Sequence, residues 1–247
     1  MSSLQQLGQT RSTRQPTHLL HTPDTFVRIP LPGLTGGEAV VHAAPALGAN
    51  FLQYSVELAP KGKLTPSANQ RFLFVLEGEA SIIGAGLDQS VLAGAFVYMP
   101  ATQPTTFIAN TACRCVVIEK KYEPLPGVAP PSAFVGYEDK IKPQPLGGDP
   151  GLMVRSLLPP DLAFDFAVNT MTYAPGAALS QVEVHVMEHG LLMLEGGGIY
   201  RLADHWYPVE AGDFIWMGPF CPQWFGALGK VPAKYLIYKD FNRSPTL

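Results

Sequence analysis

The chain is short of charge, of cysteine and of long apolar runs. Asp, Glu, Lys and Arg make up 15 % of 247 residues, the net charge is −3, and the densest charged run is Glu119-Lys120-Lys121. That excludes the basic face of a nucleic-acid binder and the like-charge blocks of a disordered chain. The three cysteines, Cys113 and Cys115 two apart and Cys221 alone, form no disulfide framework. They point to reduced thiols in a cytoplasmic protein. No apolar stretch approaches bilayer length, and the polar start, residues 1–16, lacks the apolar core of a signal peptide. The expectation is no membrane and no nucleic-acid partner. Long helical periodicities are scarce as well.

What the chain does have is 47 % apolar residues, with 24 prolines and 24 glycines. Short β-branched and aromatic runs sit between the prolines and glycines, which predicts an all-β fold with a substantial core. Residues 1–40 read as an N-terminal arm, a tail or a strand added to a neighbouring sheet. Residues 41–122 read as strands, Phe51–Leu58, Phe72–Leu76 and Ala95–Met99 among them. Residues 123–151, rich in Pro and Gly, read as a linker. A second run of strands fills 152–247, including Gln181–Val186, Leu191–Leu194 and Lys234–Tyr238.

The two runs repeat each other. Leu76-Glu77-Gly78 recurs as Leu194-Glu195-Gly196, Ala93-Gly94-Ala95-Phe96 as Ala211-Gly212-Asp213-Phe214, Met99 as Met217, and Lys121 as Lys239, always 118 residues on. A constant spacing of this kind implies two copies of one β domain.

One stretch of the second copy carries ligand chemistry: Glu183-Val184-His185-Val186-Met187-Glu188-His189-Gly190. In a strand, Glu183 and His185 face one side and Val182, Val184 and Val186 the other. With His189 four residues on, these oxygen and nitrogen donors suit a first-row divalent ion. The first copy serves as a control. Its matching residues are Thr65, Ser67 and Arg71, none a good metal ligand, and Arg71 would repel a cation. The cluster is therefore an addition to the scaffold and not a requirement of it. The string His185 to His189 also spells H-x-x-E-H, a protease signature that needs a helix. The alternating valines and Gly190 argue for strand instead, with Glu188 a solvated turn residue.

The spacing resembles the cupin superfamily. Its first motif reads His-x-His, three or four residues, Glu, six residues, Gly; here the slots hold Glu183, His185, His189 and Gly196. Its second reads Gly, five residues, Pro-x-Gly, two residues, His; here Gly212 is followed by Gly218, Phe220 and Gln223. The resemblance implies two tandem cupin domains, each a double-stranded β-helix or jelly roll, with ligands only in the second. The altered set Glu183, His185, His189 and Gln223 is similar to that of the (S)-ureidoglycine aminohydrolases, two-cupin proteins once called glyoxylate-induced proteins. Tyr173-Ala174-Pro175-Gly176-Ala177 and Tyr235–Arg243 resemble that family too.

That resemblance implies one Mn²⁺ per chain on the C-terminal cupin. It also implies release of ammonia from (S)-ureidoglycine to give (S)-ureidoglycolate in purine and allantoin breakdown. Tyr200, Tyr235 and Lys239 match family residues near the substrate. The residue chemistry agrees: Lys239 can pair with the substrate carboxylate, Tyr200 and Tyr235 can donate to the ureido oxygen, and Glu183 is the candidate to move protons as well as bind metal. Cys221, two before Gln223, is a further possible ligand. Two rivals keep the fold: a cupin dioxygenase or isomerase acting on a small carboxylate, and a non-catalytic small-molecule binder. The polar arm and exposed β edges favour a homo-oligomer.

Overall fold

A computed structural model describes residues 9–240, 242 and 243. It is all-β, as the composition predicts. The arm contains β1 (Thr13–Gln15) and β2 (His18–His21). The first copy contains β3 (Leu34–Ala43), β4 (Leu52–Leu64), β5 (Gln70–Glu77), β6 (Glu79–Ile83), β7 (Gln89–Leu92), β8 (Ala95–Met99), β9 (Thr106–Ala109), β10 (Cys113–Lys120) and β11 (Phe134–Tyr137). The second contains β12 (Gln144–Leu146), β13 (Asp149–Ser156), β14 (Ala167–Tyr173), β15 (His189–Glu195), β16 (Gly197–Leu202), β17 (His205–Glu210), β18 (Phe214–Met217), β19 (Gln223–Ala227) and β20 (Ala233–Lys239). Among the described residues no helix is long and apolar enough to cross a membrane.

The chain forms two compact units, one of Val27–Lys142 with Leu157–Ala167, the other of Met1–Phe26, Pro143–Ser156 and Val168–Leu247. Both are built to one plan. The first has the strand order β11-β8-β5-β10-β4, the second β2-β18-β15-β20-β14. In each, the strand beside β8 or β18 comes from outside the residues that repeat, and in the second copy β1 lies beyond it. For the second copy that strand is β2, so the arm joins the sheet of the C-terminal half. Its hold is reinforced by Arg11, which donates to both carboxylate oxygens of buried Asp213 and to Glu210. Residues 134–137 and 144–146, within the stretch expected to be linker, are β strands. The prolines beside them break the periodicity that would have revealed them.

The repeated Leu-Glu-Gly has a steric cause. Gly78 and Gly196 have φ of 84° and 63°, and a Cβ on either would lie 2.2 Å from Ala112 O or 2.4 Å from Pro232 O. Only glycine meets both demands. The 118-residue spacing holds as far as the pairs Ala80↔Ala109 and Gly198↔Ala227. The loop that follows is two residues longer in the second copy. In the last strand Arg71 faces Glu119 while His189 faces Lys239. The positional counterpart of Lys239 is therefore Glu119, not Lys121, which is exposed.

Candidate active site

The ligand segment is not the strand its valines suggested. Glu183 makes one isolated bridge to Gln223, with N–H to carbonyl bonds of 2.8 and 2.9 Å in the two directions. The ladder stops there because the N–H of Cys221, due to bond His185 at the next bonded pair, turns instead to the Gly218 carbonyl at 3.2 Å. Phe220 instead donates to the His185 carbonyl at 2.8 Å. Val182 and Val184 lie on the surface, so their alternation reflects no buried face. The segment is not helical either, which removes the geometry that the protease signature requires.

His189 opens β15 and is buried. Its Nδ1 faces the Tyr238 carbonyl at 3.2 Å, which leaves Nε2 to face His185. The His185 Nε2 stands 3.3 Å from His189 Nε2 and 2.8 Å from the Gln223 amide nitrogen. The His185 Nδ1 is buried and has no hydrogen-bond partner. Two donors bonded at right angles to one divalent ion, each at about 2.1 Å, lie about 3.0 Å apart. His185 therefore has the spacing of a neighbouring ligand to both His189 and Gln223, and turning the Gln223 amide would present its oxygen at the same point. Glu183 is brought in by its backbone bridge. Among the described residues, however, no three His, Cys, Asp or Glu side chains form a metal-binding group by themselves. The donor set fits a hard-to-borderline ion such as Mn²⁺. Burial raises the Cys221 thiol, and its Sγ donates to the Pro222 carbonyl at 3.7 Å.

Around this centre lie the residues matched to substrate contacts. Lys239 is the register partner of His189. Burial lowers its ammonium and the Glu183 charge opposes that shift. Asn169, with its amide turned to satisfy both ends, accepts from Lys239 Nζ at 3.3 Å. Tyr200 and Tyr235 are buried, and burial first, then neighbouring tyrosine and Glu183 charges, raise both hydroxyls. The Tyr235 hydroxyl is 2.7 Å from that of Tyr173. Sequence reasoning assigned no role to Asn169 or Tyr173. They share one face of β14, four residues apart, and that spacing is the signal that could have found them. Burial lowers His189 well below its ordinary range, with Lys239 and His185 adding to the effect.

Glu188, expected in solvent, is fully buried. Gly190 lies opposite Trp216 and leaves room for the indole, whose Nε1 donates to Glu188 Oε2 at 3.2 Å.

The first copy shows what the same positions do without ligands. Arg71, in the place of His189, is buried and donates from Nε and Nη2 to Glu119 Oε1 at 3.0 and 2.8 Å, and from Nη1 to the Thr65 carbonyl at 2.9 Å. Ser67, in the place of His185, donates to Glu119 Oε2 at 2.7 Å, and Tyr54 donates to Oε1 at 2.6 Å. Burial alone would raise Glu119; Arg71 and these hydrogen bonds hold it below its ordinary value. The positive centre of the first cupin is a guanidinium paired with a carboxylate.

Comparison with known proteins agrees with this geometry. Residues 169–238 match the cupin domain family. The chain is 42 % identical over 251 residues to the (S)-ureidoglycine aminohydrolase of Arabidopsis thaliana, covering 99 % of this chain and 83 % of that one. The chain belongs to the (S)-ureidoglycine aminohydrolase family. It is also 31 % identical to the Escherichia coli (strain K12) member over 231 residues, covering 91 % of this chain and 88 % of that one. The crystal structure of protein Ylba from E. coli covers all of both chains with a TM-score of 0.86 at 28 % identity. Full-length similarity to this family fits the two-cupin fold.

Proposed function

We propose that this protein is a manganese-dependent (S)-ureidoglycine aminohydrolase that releases ammonia and yields (S)-ureidoglycolate in purine breakdown. The observation that carries the reading is the meeting of His185, His189 and Gln223 at 2.8 and 3.3 Å in a chain of that family. Glu183, His185, His189 and Gln223 would hold the ion. When bound, it supplies Lewis-acid stabilisation of charge on the substrate's carboxylate or amine. Lys239 neutralises the substrate carboxylate from the strand beside His189. Tyr200 and Tyr235, kept protonated by burial, donate hydrogen bonds to the ureido oxygen. Glu183, whose charge acts on Lys239 and on both tyrosines, is the group placed to carry a proton. Three free, buried thiols support a cytoplasmic location. Exposed Val184 and Phe220 beside the ligand segment support association of copies.

Ammonia release from fresh (S)-ureidoglycine by the manganese-loaded protein tests the reading. Steady release is expected; oxygen consumption, or binding without turnover, would overturn it. Lys239→Ala is expected to raise KM about tenfold to a hundredfold, the size of a lost hydrogen bond to a charged group. Lys121→Ala, on the exposed lysine of the first copy, leaves KM unchanged. Equal effects would remove Lys239 from the site.

A further inference from the structure

Two rows of side chains enter the interior of the C-terminal copy. Across one sheet, His18, Met217, His189 and Lys239 are successive register partners and so leave it on the same side. That side is the interior: the next row, Leu20, Ile215, Leu191 and Ile237, is core. Across the other sheet, Tyr207, Tyr200 and Phe225 are partners, and this row also packs into the core. The rows are tied at one end. His18 Nε2 lies 2.9 Å from the Tyr207 hydroxyl and Nδ1 lies 3.2 Å from Thr17 Oγ1. The His205 ring stacks on Tyr207 at 6.0 Å. His18 is wholly buried, two strands and about 10 Å from His189 by sheet spacing.

The first copy again discriminates. Its register places Gln89, Ile82 and Phe107 where the second has Tyr207, Tyr200 and Phe225. Its edge strand β11, Phe134–Tyr137, contains no histidine. A cupin therefore forms without the His18–Tyr207 pair, and the pair occurs in the copy that has the ligand cluster. Both nitrogens of the imidazole are engaged, and Leu20 fills the core two residues on along the same face. Burial, with His205 beside it, lowers the imidazole to about 4, so it stays a neutral partner for the hydroxyl.

We propose that His18, contributed by the N-terminal arm, is a positioning residue for the substrate: it fixes Tyr207 against Tyr200 at the end of the row that starts from Lys239. This rests on the aminohydrolase reading. Sequence position hides the role, because His18 lies more than 160 residues from every ligand.

The test is the kinetics of His18→Ala, His18→Gln and Tyr207→Phe on (S)-ureidoglycine, each with a melting temperature. Tyr207→Phe removes one hydroxyl oxygen and keeps the ring. His18→Ala and Tyr207→Phe are expected to raise KM about tenfold with kcat within about twofold. His18→Gln, whose amide can still bond the hydroxyl, is expected to restore most of the loss. KM within twofold of wild type in Tyr207→Phe overturns the proposal, as does a His18→Ala defect that follows melting temperature alone. If the wild type releases no ammonia, the aminohydrolase reading fails and the proposal with it. If the wild type is active and these variants match it, only the proposal fails.

Discussion

Replacing His189 with alanine should reduce kcat for ammonia release about a thousandfold, roughly 4 kcal/mol of transition-state stabilisation, and empty the site of metal. The imidazole is fixed by the Tyr238 carbonyl at 3.2 Å and meets His185 at 3.3 Å, so no nearby side chain can take its place. Loss of folding could imitate this result, and the first copy suggests the control. His189→Arg combined with Lys239→Glu rebuilds the pair that Arg71 and Glu119 already form on the same scaffold. That double variant should fold, melt as one cooperative protein and bind no metal. Retained activity in either variant would contradict the assignment.

The second large effect is on stability and falls in the copy without ligands. Arg71 and Glu119 form an ion pair at 2.8 Å with side chains only 6 % and 8 % exposed. Removing one partner leaves the other charge buried and uncompensated, a loss of about 3–5 kcal/mol. Arg71→Ala should therefore lower the melting temperature by about 10 °C. Arg71→Met with Glu119→Leu, which removes both charges and keeps the volume, should cost far less. If the single and double variants melt alike, the pair is not coupled. The acid limb gives a second readout. Because the folded Glu119 carboxyl lies below its ordinary value, its stabilisation is present above the unfolded pKa of about 4.3. It is lost as pH falls through the folded pKa. Glu119→Gln should flatten the decline in stability on acidification.

The duplication was legible because glycine turns are sterically constrained. Gly78 and Gly196 cannot carry a side chain, so Leu-Glu-Gly is preserved in both copies. Other features were hidden for local reasons. Lys121 and Lys239 look equivalent, yet the longer loop before β20 moves Glu119 into the equivalent place. Alternating valines around Glu183 mimic a strand, but the turn of Cys221 N–H to the Gly218 carbonyl ends the pairing after one bridge. Glu188 looks like a turn residue, and only the pairing of Gly190 with Trp216 buries it. His18 belongs to a polar stretch whose partner strand, β18, comes some 200 residues later. Pairings of that range leave no trace in local periodicity.

Metal content per chain is the most direct measurement of the central claim, that one scaffold occurs twice and is charged by an ion in one copy and by a guanidinium in the other. Elemental analysis of the purified protein should find about one Mn²⁺ per chain, the count of ligand-bearing copies, and none in His189→Ala. Two ions per chain, or an ion that remains after His189 is removed, would contradict it.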